Sequence, residues 1–187
     1  MKRKYLFSIL LPLIALFSLC ASNQKVKAAT FKNYDQFYAY DSVTTIDGTW
    51  GANLFINNDS NKQFDKILPK DSQWQIYGYT KRKDGFYYWA GGDQWIQANQ
   101  ARVPVGNESD AVLNVVAKFG EDDNPKTYWI PVHIFPEAKN GYRGGYWGTD
   151  YWWVRDAGPE FGSYRDSYII YPDGNTTKLK IGDPTVG

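Results

Sequence analysis

Residues 67–98 decide the fold. They read Ile67-Leu68-Pro69-Lys70-Asp71-Ser72-Gln73-Trp74-Gln75-Ile76-Tyr77-Gly78, then Lys83-Asp84-Gly85-Phe86-Tyr87-Tyr88-Trp89, then Gly92-Asp93-Gln94-Trp95-Ile96-Gln97-Ala98. A Leu-anchored turn leads into a strand, Lys83-Asp84-Gly85 supplies the positive-φ residue a tight hairpin needs, and an aromatic strand, a glycine turn and a Trp strand follow. Gln73-Trp74-Gln75-Ile76 alternates polar and apolar, which sends Trp74 and Ile76 to a core and the glutamines to solvent. This cadence predicts a small SH3-like β-barrel.

Outward from this unit the pattern stays β. Aromatic and β-branched runs bounded by Gly, Asn and Asp predict strands at 37–40, 52–56, 73–79, 86–90, 94–97, 112–119, 127–135, 151–154, 168–171 and 177–181. Pro172-Asp173-Gly174-Asn175 reads as a further hairpin turn. No stretch after Ala29 shows the i, i+3, i+4, i+7 recurrence of a long amphipathic helix. The expected class is all-β: an SH3-like barrel module at 29–103 followed by a second antiparallel β region at 104–187, with the boundary at 101–107. A single sandwich running through that boundary is the competing arrangement.

Charge and targeting change sharply at the N-terminus. Met1-Lys2-Arg3-Lys4 is a positive leader, residues 5–21 are apolar, and Val26-Lys27-Ala28 puts small side chains where a signal peptidase reads them. Residues 1–28 are read as a secretory signal peptide. Leu19 is too large for the residue before a lipidated cysteine, so Cys20 is not read as a lipid anchor. Removal of the peptide leaves 159 residues with 16 basic and 20 acidic groups, net −4, and no cysteine. Disulfide frameworks and Cys-based metal sites are thereby excluded from the exported chain, and an acidic chain lacks the basic footprint of nucleic-acid binding. Membrane association after cleavage is not expected.

The three blocks quoted above resemble the surface-layer protein C-terminal (SLAP) domain of lactobacilli, whose pattern runs L-x-K-G-S-x-W-x-V, then N-G-K-x-Y-Y-x-V, then G-x-x-Q-Y-V-x-A. Leu68 to Ile76 follows the first block with Asp71 at the family glycine, Asp84 to Trp89 the second, and Gly92 to Ala98 the third with Trp95 at the usual Tyr. Ala52 to Asn58 sits where the family has its first strand and Asn-rich turn. The likeness covers about residues 50–103. It implies a module that holds a secreted protein non-covalently on the Gram-positive cell wall, through teichoic acid or another anionic wall polymer or glycan.

Family domains are usually basic, whereas residues 29–103 carry eight basic and eight acidic groups. Lys81-Arg82-Lys83 is the one basic run. It is either a solvated turn or a phosphate contact flanked by sugar-stacking Tyr79, Tyr87, Trp89 and Trp95. Residues 142–154 add six aromatics in thirteen positions. Trp147 and Trp152 are the candidate ligand contacts there, and one of the adjacent pair Trp152 and Trp153 must face a core.

Catalytic signals are weak. His133 lies in an apolar strand without a Cys nucleophile, and no Gly-x-Ser-x-Gly or His-Glu-x-x-His motif occurs. Asp150, Asp156, Glu160 and Asp166 near the aromatics are the carboxylates a glycosidase would need. Glu121-Asp122-Asp123-Asn124 reads as a solvated hairpin tip rather than a calcium loop. The expectation is a secreted, non-enzymatic, cofactor-free and metal-free wall-binding protein of unassigned oligomeric state. The alternatives are a small wall-active glycosidase or amidase targeted by this module, or a secreted host-glycan adhesin.

Overall fold

The computed structural model describes residues 35–121, 127–134, 150–158 and 164–180. The signal-peptide reading, Trp147 and Glu160 lie outside them. The strands are β1 (Phe37–Ile46), β2 (Ala52–Ile56), β3 (Gln63–Leu68), β4 (Gln73–Arg82), β5 (Gly85–Gly91), β6 (Gln94–Gln97), β7 (Ala101–Arg102), β8 (Tyr128–Ile134), β9 (Tyr151–Ala157), β10 (Tyr164–Ile170) and β11 (Thr176–Leu179). A 3-10 turn (Ala98–Gln100) precedes β7, and one helix, α1 (Glu108–Phe119), follows it.

The chain is mostly β, in two antiparallel sheets. The first has the order β3-β2-β6-β5-β4-β1-β7 and the second β11-β10-β9-β8. Neither sheet closes on itself, so the expected SH3-like barrel is an open seven-stranded sheet. Its spine is nonetheless the predicted one: β4 pairs with β5 across the turn where Gly85 takes φ 130°, and β5 pairs with β6. Ile76 is fully buried, Trp74 packs on the core, and Gln73 and Gln75 are exposed.

Two elements differ from the sequence reading. Residues 112–119, expected as a strand, belong to α1. Ala111, Val112, Leu113, Val115, Val116 and Ala117 are all buried, because the helix touches β8, β9 and β10 as well as β5 and the 3-10 turn. A helix apolar all round reads as a continuous β-branched run and hides its period. Its end signals decide the matter: Asn107 Oδ1 accepts the Asp110 N–H at the N-cap, and Gly120, at φ 85°, closes the C-terminus with its N–H on the Val116 carbonyl. The second difference is β3, an edge strand exposed everywhere but Leu68, whose sequence has no core alternation to announce it.

The expected boundary segment lies between the sheets. Val103 is fully buried and Val105 nearly so. Val105 N–H donates to the Pro172 carbonyl at 2.8 Å, and a Cβ on Gly174 would stand 2.2 Å from the Val103 carbonyl oxygen. Asn114, 3% exposed, binds this segment to the helix: its Oδ1 accepts from Val103 N–H at 3.0 Å, and its Nδ2 donates to the carbonyls of Val103 and Asp110. Residues from both sheets and α1 form one apolar cluster. Asn114→Ala leaves the buried N–H and carbonyl of Val103 unmet, while the Asp110 carbonyl keeps its helical bond, and is expected to cost about 2–3 kcal/mol in urea unfolding. A change below about 0.5 kcal/mol would remove Asn114 from this role.

Candidate functional site

The side of the seven-stranded sheet away from the core carries a row of rings. Backbone register sets Phe64 of β3 opposite Phe55 of β2, Phe55 opposite Trp95 of β6, Trp95 opposite Trp89 of β5, and Trp89 opposite Gly78 of β4. Directly opposed residues share one face of a sheet, so one cross-strand line brings four aromatics together. Phe37 and Tyr77 flank them. Phe37 meets Trp89 edge-on at 5.6 Å and Trp95 at 6.5 Å, and Tyr77 meets Trp89 at 5.7 Å.

Glycines make room for the flanking rings. A Cβ on Gly78 would lie 2.2 Å from Cζ of Phe37 and 2.7 Å from the Tyr38 carbonyl oxygen, and one on Gly91 would touch Tyr77 at 3.4 Å. Phe64, Phe37 and Tyr77 are 57%, 47% and 46% exposed, whereas Trp89, Trp95 and Phe55 are half-buried. The Trp89 indole N–H is spent on the Gly92 carbonyl at 2.8 Å, which fixes the ring.

At one end the row meets charge. Lys62 Nζ sits 5.1 Å from the Phe55 ring centre and 4.6 Å from that of Tyr87, donates to the Tyr87 hydroxyl at 2.7 Å and pairs with Asp84. The Tyr87 hydroxyl in turn donates to Asp84 at 2.9 Å. Burial pulls the Lys62 ammonium down, but its bonds to Asp84 and Tyr87 outweigh that and hold it above its usual range. Burial likewise pushes Asp84 up, and hydrogen bonds from Lys62 and Tyr87 overcome it to leave the carboxyl below its usual range. Burial raises the Tyr87 phenol.

The sequence candidates divide. Trp89 and Trp95 lie in the row, and Tyr87, 2% exposed, lies beneath Lys62. Tyr79 points the other way, 8% exposed, stacked on Tyr38 at 5.1 Å, with burial holding its phenol well above the usual range. The basic triplet is not one patch. Lys81 is buried and pairs with Glu121 at 3.0 Å, Arg82 pairs with Asp35 at 2.6 Å, and Lys83 alone of the three is exposed. Glu121, expected in a solvated tip, has a side chain only 4% exposed. Alternation along the end of β4 sends Tyr79 and Lys81 to one side and Arg82 to the other, and a one-residue bulge in β1 between Ala39 and Ser42 interrupts the pairing beside Gly78.

In the second sheet Trp152 is buried at 9% and stacks on His133 at 4.4 Å, while His133 Nε2 meets Asp150 at 2.6 Å. Trp153, on the opposite face, lies under the Arg155 guanidinium at 4.3 Å. Asp156 and Asp166 oppose each other across β9 and β10, but each has a cationic neighbour, Arg165 at 3.5 Å and Lys178 at 2.8 Å. Among the described residues no group of three or more His, Cys, Asp or Glu side chains is placed to hold a metal ion.

Sequence reasoning missed Phe37, Phe55, Phe64, Tyr77 and Lys62. For Phe55 the signal was present: in Ala52-Asn53-Leu54-Phe55, buried Ala52 and Leu54 place Asn53 and Phe55 outward. Comparison with protein-family models, with curated proteins and with solved structures finds no match for this chain.

Gly78→Ala displaces Phe37 from the sheet and is expected to cost about 1–3 kcal/mol, with Phe37 ring signals in proton spectra moving to less shielded values; an unchanged Phe37 environment would refute the packing. The Lys62–Asp84–Tyr87 group contributes stability from Asp84 that is present above an unfolded pKa of about 3.9 and lost as pH falls through the lower folded value. The Lys62 and Tyr87 contributions are present below about pH 10 and lost as pH rises through their raised folded values. Urea midpoints against pH are expected to show both limbs, and Asp84→Asn to flatten the acid one; an unaltered acid limb would sink the assignment.

Proposed function

We propose that this is a secreted, non-enzymatic protein that holds to the Gram-positive cell wall without a covalent bond, using the outward aromatic face of the seven-stranded sheet as a glycan platform. The observation that carries the reading is the row Phe64–Phe55–Trp95–Trp89 with Phe37 and Tyr77 beside it. An exposed apolar patch on a folded domain marks an interaction surface, and indole and phenol faces stack on the apolar faces of pyranose rings. Each contact is weak, and retention arises because a wall polymer offers many repeats to many copies of the protein.

The SLAP resemblance supports the same reading at one telling position. Asp71, which stands at the family glycine, has φ 64°, the left-handed conformation that glycine adopts most easily. Ser72 and Trp74 of the same block are joined by a hydrogen bond from Trp74 Nε1 to Ser72 Oγ at 3.0 Å, and Ser72 Oγ donates to the Pro69 carbonyl at 2.6 Å. The spacing of that block thus has a local structural reason in this chain.

Retention on purified Gram-positive walls tests the proposal. Trp89→Ala and Trp95→Ala are each expected to weaken binding roughly tenfold, equivalent to about 1.4 kcal/mol for one lost stacking contact. Concentrated lithium chloride is expected to release the wild-type protein from intact cells. Full retention by the double variant, with its fold intact by circular dichroism, would overturn the platform. A clearing band on wall-containing gels would replace binding with hydrolysis.

A further inference from the structure

Where the aromatic row reaches Lys62, a cavity of about 550 Å³ opens between the turn after β2 and the β4–β5 hairpin. Its wall carries three carboxylates, Asp35, Asp59 and Asp84, and three cations, Lys62, Arg82 and Lys83. Lys62 belongs to both places, since it caps the Phe55 and Tyr87 rings and pairs with Asp84 on the cavity wall. A ligand lying along the row therefore runs into this cavity.

Asn58 also lines the cavity and is 4% exposed, yet neither its amide nitrogen nor its amide oxygen has a hydrogen-bond partner among the described residues. The Arg82 Nε–H is likewise buried and unmet, its guanidinium being held through Nη1 by Asp35. Buried polar atoms are nearly always satisfied, and here two donor atoms and one acceptor atom are left over on two residues that line one cavity. A hydroxyl group both donates and accepts, so a polyol edge suits this set. The charge balance decides between ligand classes. Three carboxylates against three cations give no net field to draw in a polyphosphate, whereas charged side chains bond strongly to neutral hydroxyls.

We propose that this cavity is a binding subsite for a neutral saccharide, taking the hydroxyl edge of one sugar unit while the rest of the glycan lies along the aromatic row. The proposal rests on the reading of that row as a glycan platform, and it narrows the ligand from an anionic wall polymer or glycan to an uncharged polysaccharide. Both Asn58 amide atoms and Arg82 Nε are covered, so a sugar hydroxyl reaches them only by a shift of the cavity wall.

The test follows side-chain amide, guanidinium and indole signals of the isotope-labelled full chain by NMR. Phosphate-free polysaccharide prepared from purified Gram-positive walls is titrated in one arm and poly(glycerol phosphate) in the other. The saccharide is expected to move the Asn58 amide and Arg82 Nε–H signals, with an affinity that barely changes up to an ionic strength of about 0.15 M, and poly(glycerol phosphate) to leave them in place. Asn58→Ala is expected to weaken saccharide binding roughly tenfold, and the wild-type spectra decide the matter if that variant fails to fold. Movement of the Trp89 and Trp95 indole signals with Asn58 and Arg82 unmoved would overturn the cavity and leave the platform standing. No movement at either place would overturn both, and movement of Asn58 by poly(glycerol phosphate) alone would overturn the choice of a neutral ligand.

Discussion

The structure depends on enclosing one short helix between two sheets. Helix α1 presents no polar face to water between Asp110 and Ala117, so it is stable only where apolar side chains surround it. Each sheet covers part of it. Of the polar atoms carried into that interior, Asn114 bonds to the backbone of Val103 and Asp110, and the Asp110 carboxylate accepts from the Tyr40 hydroxyl at 3.0 Å and from Gly106 N–H at 2.9 Å, whereas the fully buried Tyr88 hydroxyl has no hydrogen-bond partner among the described residues. Burial, with Asp110 alongside, pushes the Tyr40 phenol well above its usual range. The segment before the helix is therefore held on both sides by bonds that neither sheet supplies alone.

With the inner side of the first sheet committed to this core, its outer side is free to carry aromatic rings. Sheet register performs the assembly. Residues distant in sequence, such as Phe55 and Trp95, become direct neighbours because β2 pairs with β6, and glycines at 78 and 91 let Phe37 and Tyr77 lie close to the backbone. At the end of the row Lys62 pairs with Asp84 and Arg82 with Asp35. What the surface offers a ligand is dispersion and hydrogen bonding, with little net electrostatic pull.

The spine β4–β5–β6 and its turns were legible from Gln73-Trp74-Gln75-Ile76 and Lys83-Asp84-Gly85, because half-buried strands write their faces into the sequence at period two. The helix was not, since full burial erases the polar stripe that distinguishes a helix from an apolar strand. Two of the six rings of the candidate site were legible. Trp89 and Trp95 could be found by composition, but Phe37, Phe64 and Lys62 depend on which strands pair, and register is a long-range property. The Lys81-Arg82-Lys83 run misled for a related reason: successive residues of a strand point to opposite sides, so adjacent charges in sequence became one buried ion pair, one partly covered ion pair and one exposed lysine.

The open rim of the larger sheet has a consequence for behaviour at high density. Strand β3 leaves one row of backbone groups unpaired, as an edge strand must, and Phe64 and Ile67 lie exposed beside it. Such an edge invites pairing with another chain, yet the register of β3 shifts between Lys66 and Phe64, and Asp65 and Lys66 put both signs of charge at the irregularity. Bulges and charges at an edge discourage strand-to-strand addition. At high density, copies of this chain are thereby kept from annealing through β3 into a continuous cross-β lattice.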